Sequence, residues 1–149
     1  MKTLTKPESD SAVQTLELAR VLLVDDDPAS RLTLQTILKA GGYHVESAAS
    51  AAEAFSKLDE QEYELVLSDL RMESPEAGYR VLSHARRMDY RPATALLTTY
   101  HGPNEGSLRT GEPVLIEPED VPGLLTKIAN LISRRASRKV HREMRLAGS

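Results

Sequence analysis

The chain contains no cysteine, no tryptophan and a single phenylalanine among its 149 residues. Without cysteine, disulfide scaffolds and thiolate metal sites are excluded. No apolar run approaches the roughly 20 residues of a membrane-spanning helix, and acidic residues interrupt the N-terminal segment where a signal peptide needs an apolar core. The length suits about one domain. We therefore expect a cytoplasmic protein with one folded domain.

The net charge of −3 combines an acidic body with a basic C-terminal segment. Residues 133–149 carry six basic residues and one acidic residue, for +5, whereas residues 1–132 carry 13 basic and 21 acidic residues, for −8. Apolar residues recur at every fourth position from Ile132 to Met144, which predicts that the last helix continues into this segment.

Three interpretations of the basic segment are open. It is a solvated, frayed helix end, a helix that docks on a partner or on a second copy of the chain, or a helix that contacts phosphates of nucleic acid or anionic lipid. A chain with one phenylalanine and no tryptophan offers no obvious platform for base stacking, and its body is acidic. We therefore do not expect specific nucleic-acid binding.

Short apolar runs alternate with helical patterns along the chain. The runs predict five strands, at residues 21–24, around Val45, and at 65–67, 93–97 and 114–116. Strands that alternate with helices imply a parallel sheet with helices on both faces. Between Thr99 and Pro113 the chain is rich in glycine and proline, so the helix expected between the fourth and fifth strands is short or absent.

Local sequence patterns indicate where two of the helices begin. Pro28 opens a segment with helical apolar spacing that ends at Gly41 and Gly42. Ser50, with Glu53 three residues later, is typical of a helix N-cap.

Acidic residues follow two of the predicted strands. Asp25, Asp26 and Asp27 come directly after the first strand, and Asp69 follows the third. Because the carboxyl ends of parallel strands meet at one edge of a sheet, we expect these carboxylates to converge. Converging carboxylates repel one another unless a cation is present, and Mg²⁺ is the hard, oxygen-binding ion we expect. The alternative is that each aspartate merely caps the helix after it.

These segments resemble the receiver domain of two-component response regulators. The matching residues are 21–27, Arg31, Leu34, Leu38, Gly42, 65–72, Pro92 and 96–99. The resemblance implies a doubly wound, flavodoxin-like α/β fold with a five-stranded parallel sheet in the order 2-1-3-4-5, here with a degenerate fourth helix. It divides the chain into an N-terminal extension (1–19), a receiver domain (20–132) and a basic C-terminal helical extension or tail (133–149).

The resemblance also implies roles for individual residues. Asp69 would accept a phosphoryl group from a histidine kinase or a phosphotransfer protein. Asp25, Asp26, Asp69 and the backbone carbonyl of Arg71 would hold Mg²⁺. Thr98 would hydrogen-bond the phosphoryl group, and Thr99 takes that place if the strand register differs by one residue. Such a domain is a signalling switch and not an enzyme, beyond Mg²⁺-dependent self-phosphorylation and self-dephosphorylation.

One position departs from the family in its charge. The family has a lysine before the proline at the end of the fifth strand, and this chain has Glu117 before Pro118. A carboxylate a few ångströms from a phosphoryl group costs on the order of a few kcal/mol at intermediate dielectric. The predicted pocket keeps its acidic half and lacks the family's cation.

Three functions remain open at this point. The first is a stand-alone response regulator of a phosphorelay that signals through a downstream protein, because 149 residues leave no room for an output domain. The second is a pseudo-receiver that binds partners without phosphorylation, and in either case a second copy of the chain is one candidate partner. The third is a haloacid-dehalogenase-like phosphatase, since residues 25–27 contain Asp-x-Asp, but the residues such enzymes need next are absent.

Overall fold

The computed structural model describes residues 19–70, 72–97, 114–116 and 121–148. The elements within them are β1 (Arg20–Val24), α1 (Pro28–Ala40), β2 (His44–Ala48), α2 (Ala51–Glu60), β3 (Leu65–Asp69), α3 (Ala77–Arg86), β4 (Ala93–Leu97), β5 (Val114–Ile116) and α4 (Val121–Gly148). The strands form one parallel sheet in the order β2-β1-β3-β4-β5, which confirms the predicted fold. Residues 1–18 and 98–113, with the predicted degenerate helix, lie outside the described residues.

Alternate residues of the central strands point to opposite faces of the sheet and form two hydrophobic cores. On one face Leu23 and Leu67 pack with α1 and α4, whereas on the other Leu22 and Val66 pack with α2 and α3. Both faces are covered, which explains why the strands are continuous apolar runs without polar alternation. The loops at the two ends of the strands are therefore where polar groups of the sheet reach solvent.

The predicted helix starts are present with their capping contacts. Asp27 caps α1, with its carboxylate accepting a hydrogen bond from the Ser30 N–H at 2.8 Å, and Pro28 is the first helical residue. Ser50 caps α2 by accepting from the Glu53 N–H at 3.1 Å, and the Glu53 carboxylate accepts from Ala49 N–H. These contacts fix how the chain leaves the carboxyl ends of β1 and β2.

Helix α4 is one continuous helix of 28 residues, about 42 Å long at 1.5 Å per residue. Its first half packs on the sheet through buried Leu124 and Ile128. Its second half extends past this contact, and Val140 and Met144 there are 51% and 64% exposed. The last helix therefore continues into the basic segment, as the apolar spacing predicts. In the described part of the chain no helix is long and apolar enough to span a membrane.

Candidate functional site

The first two candidate carboxylates stand where β1 ends. The strand is buried up to Val24, and the Asp25 side chain that follows is still only 4% exposed, whereas Asp26 is exposed. The Asp25 N–H donates to the Ala48 carbonyl at 3.0 Å, so the pairing between β1 and β2 continues one residue past the strands. Asp25 is therefore held rigidly at the carboxyl edge of the sheet.

The neighbours of Asp25 hold its side chain and backbone in place. Its Oδ1 accepts a hydrogen bond from the Asp27 N–H at 3.0 Å. Its carbonyl oxygen accepts from the Arg31 guanidinium at 2.7 Å, from the second turn of α1. Arg31 was one of the residues that match the family, but nothing in the sequence indicated that it contacts the backbone of the site.

Asp69 is the last residue of β3 and is partly buried. The pairing between β3 and β4 continues one residue further, because the Leu70 N–H donates to the Leu97 carbonyl at 3.0 Å. The start of α3 lies against this turn. A Cβ added at Gly78 would lie 2.3 Å from the Asp69 carbonyl oxygen and 2.8 Å from that of Leu70. Only glycine allows this approach, so Gly78 helps to set the position of Asp69.

The three carboxylates converge as the strand ends predicted. One oxygen from each of Asp25, Asp26 and Asp69 lies within 4.8 Å of the others. The donors are all oxygens, their charges have the same sign, and a hard divalent cation at their centre relieves the repulsion. Asp27 does not join this group, because its carboxylate caps α1. The capping alternative thus holds for Asp27 and not for the other three aspartates.

Burial and mutual repulsion perturb the ionisation of this cluster. Burial, followed by the charges of Asp25 and Asp26, raises the pKa of Asp69 to about 6 from the ordinary 3.8. Burial also raises the pKa of Asp25, against the opposing effect of the hydrogen bond from Asp27. Both pKa values rise because burial outweighs the opposing effects, which for Asp25 include the nearby charge of Arg31, and the raised values favour a cation at the cluster.

The other predicted site residues lie outside the described part of the chain. These residues are Arg71, Thr98, Thr99 and Glu117. Their roles stay predictions from the family resemblance.

Comparison with known proteins gives a family and several related structures. The family model described as "Response regulator receiver domain" matches residues 21–107, more than half of the chain. The chain belongs to the response regulator receiver family. Receiver domains are signalling switches in two-component systems, and the acidic cluster at the carboxyl edge of the sheet lies within the matched segment.

Curated relatives and solved structures agree with this assignment. The chain is 41% identical over 76 residues to the "Gliding motility regulatory protein" of Myxococcus xanthus, a match that covers 51% of this chain and 9% of that protein. It is similar to a CheY-like receiver domain protein from Methanospirillum hungatei (TM-score 0.69, 29% identity, 81% of this chain and 98% of the other). It is also similar to the response regulator TrrA from Thermotoga maritima in complex with Mg(2+)-BeF (TM-score 0.65, 27% identity, 76% of this chain and 99% of the other).

The two solved structures named above match over 98% and 99% of their length, but the curated relatives are much longer than this chain. The chain spans between 8% and 27% of the length of the first curated relatives. The shared part is thus the receiver domain alone.

Proposed function

We propose that this receiver domain accepts a phosphoryl group on Asp69 with Mg²⁺ held beside it. The observation that carries the proposal is the convergence of three carboxylates at one strand edge, with Asp69 partly buried among them. In the transfer, an Asp69 carboxylate oxygen forms a bond to phosphorus while the bond to the donor's histidine nitrogen breaks, and that nitrogen keeps the electron pair. The donor is a histidine kinase or a phosphotransfer protein.

The residues present fit a magnesium ion. Asp25, Asp26 and Asp69 supply the carboxylates. By the family pattern, the Arg71 backbone carbonyl is a fourth ligand. When bound, Mg²⁺ stabilises the ionised carboxylates and offsets the negative charge of the phosphoryl oxygens. The TrrA structure, with its Mg(2+)-BeF, is a relative consistent with this assignment.

Contacts within the chain position and orient the carboxylates of the site. Asp25 is fixed by the Asp27 N–H and by Arg31, and Gly78 lets α3 approach the Asp69 backbone closely. By the family pattern, Thr98 hydrogen-bonds the phosphoryl group and shifts when Asp69 is modified. The resulting change of surface is the signal that a downstream protein reads. We further propose residues 20–132 as the receiver domain, with residues 133–149 as a helical extension of it.

Incubation with Mg²⁺ and acetyl phosphate tests the proposal, with intact-mass measurement of the full chain. We expect a gain of one phosphoryl group that requires Mg²⁺ and is lost in Asp69→Asn. The matched control is Glu60→Gln, which removes an exposed carboxylate at the end of α2 and is expected to keep the gain. A parent chain that gains no mass with acetyl phosphate or with a histidine kinase contradicts the proposal.

The specific alternative is a receiver that binds partners without phosphorylation, and Glu117 is the residue that favours it. In the family pattern this carboxylate replaces the lysine that attracts the phosphoryl group. If Glu117 opposes transfer, Glu117→Lys increases the rate and extent of phosphoryl gain. An unchanged rate in Glu117→Lys, together with no gain in the parent, favours the phosphorylation-independent module.

A further inference from the structure

A basic groove lies at the edge of the sheet opposite the acidic cluster. It is formed where the projecting half of α4 passes the loop between α3 and β4. We define the basic groove by its cationic side chains, which are Arg86, Arg87, Arg91, Arg138, Lys139 and Arg142. Because β4 begins directly after this loop, the groove is at the amino ends of the strands, whereas the carboxylates are at the carboxyl ends.

The α4 side of the groove continues the stripe that packs on the sheet. Leu124, Ile128 and Leu131 recur at spacings of four and three residues and contact the core. The same alternating spacing continues to Arg135, Arg138 and Arg142, so one face of the helix changes from apolar to cationic. Arg135 and Arg142 are therefore partly buried beside the loop, and Arg138 lines the groove while exposed to solvent.

Arg135 fixes the geometry of the groove. Its guanidinium donates to the carbonyl oxygens of Tyr90 at 2.8 Å and Arg91 at 3.0 Å, which ties α4 to the loop. Arg91 has a φ of 46°, a left-handed conformation that is rare for a residue with a side chain. The tie holds the loop in this conformation, so the groove is formed before any ligand binds.

The cations of the groove have few anionic groups near them in the described part of the chain. Among the residues that the structure describes, none of the six forms an ion pair, and Asp89 is the one acidic residue that lines the groove. Like charges held together in this way repel one another and are stabilised by a multivalent anion. Five of the six are arginines, whose planar guanidinium matches the oxygens of a phosphate in a bidentate manner.

We propose that the basic groove binds a compact polyphosphate anion, either an inorganic chain or the phosphates of a nucleotide. The groove encloses about 430 Å³, within the range of small-molecule sites and too small for a folded partner. Met88 and Tyr90 lie among the cations and offer apolar surface to a base or ribose. The site is distinct from the carboxylate cluster and does not depend on phosphorylation of Asp69.

Calorimetric titration of the full chain tests the proposal, with inorganic tripolyphosphate and ATP as probes. Titration in EDTA removes divalent cations, so the probes cannot bind through a metal ion at the acidic cluster. The groove variant combines Arg138→Gln, Lys139→Gln and Arg142→Gln. The matched control makes the same change at three exposed cations outside the groove, Lys39, Lys127 and Arg134. Glutamine preserves helix propensity, and circular dichroism checks the fold.

We expect the groove variant to weaken tripolyphosphate binding by at least about tenfold and the control by less than about threefold, because only the first removes charge-assisted contacts. Tighter binding of ATP than of tripolyphosphate identifies a nucleotide site, and equal binding identifies a site for the phosphate chain alone. The proposal is overturned if neither probe binds or if the control weakens binding equally. It is also overturned if duplex DNA or anionic vesicles bind and tripolyphosphate does not displace them.

Discussion

Replacement of Asp69 by asparagine is expected to stabilise the protein when no divalent cation is present. The folded chain raises the pKa of this carboxyl from 3.8 to about 6, so ionisation of Asp69 disfavours the folded state. A shift of about two units corresponds to at most about 3 kcal/mol at 1.36 kcal/mol per unit. Because the side chain is only partly buried, solvent screening reduces this to about 1–2 kcal/mol.

The sign of the pH dependence follows from the raised pKa. Below about pH 4 Asp69 is protonated in both states, and its burial carries no charge penalty. As the pH rises through about 6 the folded state must ionise a group that the unfolded state ionises more easily, and the wild type loses stability. The advantage of Asp69→Asn therefore grows between about pH 4 and pH 6 and then levels off.

Urea unfolding followed by circular dichroism in EDTA measures this difference. Saturating Mg²⁺ should reverse it, because at a hundred times its Kd a ligand adds about 2.7 kcal/mol to a chain that binds it only when folded. Glu60→Gln serves as the control and should stay within about 0.5 kcal/mol of the wild type in both conditions. The reasoning fails if Asp69→Asn is less stable than the wild type in EDTA near neutral pH, or if Mg²⁺ stabilises both chains equally.

Three further changes have expected outcomes. Gly78→Ala forces a Cβ against two carbonyl oxygens and should cost about 1–3 kcal/mol and lower phosphoryl uptake. A Cβ at Gly41 lies 3.2 Å from the flexible Leu125 side chain and no closer than 3.4 Å to a backbone oxygen, so Gly41→Ala should do neither. Equal effects of the two changes in urea unfolding would count against the close approach at Gly78. Ser50→Ala removes the N-cap of α2 and should cost about 1 kcal/mol in the same assay, and a neutral result would mean that the cap does not stabilise the helix. Arg135→Gln should speed amide exchange in the last turns of α4 but not in the sheet; unchanged exchange would show that the tie to the loop is dispensable.

Much of the fold follows from local patterns that the sequence displays. The buried strands read as continuous apolar runs because helices cover both faces, and the caps at Asp27 and Ser50 depend on residues only three positions apart. The convergence of Asp25 and Asp69 follows from the rule that parallel strands end at one edge. Local order along the chain was therefore enough to predict a parallel sheet with helices on both faces and the convergence of the carboxylates, whereas the strand order was implied by the family resemblance.

Contacts between distant segments were not predictable in this way. The need for glycine at position 78 arises from a backbone that β3 brings against α3, and no periodicity indicates it. His84 is partly buried, its ring stacks on that of Phe55 with 4.6 Å between the ring centroids, and its Nε2 lies 2.8 Å from an Asp59 oxygen. Its place depends on how α2 and α3 cross, which is a tertiary property.

The residue at which α3 ends is a second feature that the apolar spacing did not predict. In the sequence Met88 follows Leu82 and Ala85 at helical spacing, but α3 ends at Arg86 and Met88 lies in the turn that follows. Its side chain still packs against the core, so the apolar period continues after the helical hydrogen bonds stop. Periodicity reports which residues face the core and does not by itself report where a helix ends.

The opposed positions of the carboxylate cluster and the basic groove give the domain a permanent electric dipole. Strands of five residues separate the two ends by about 17 Å, with the negative end at the carboxyl edge of the sheet. Near a charged surface or partner the molecule rotates before it makes contact, because the charge attracts one end of the domain and repels the other. Neutralisation of the acidic end by a cation and occupancy of the basic end by an anion change this dipole in the same sense. Both reduce it, so each binding event weakens the orientation that the free protein has.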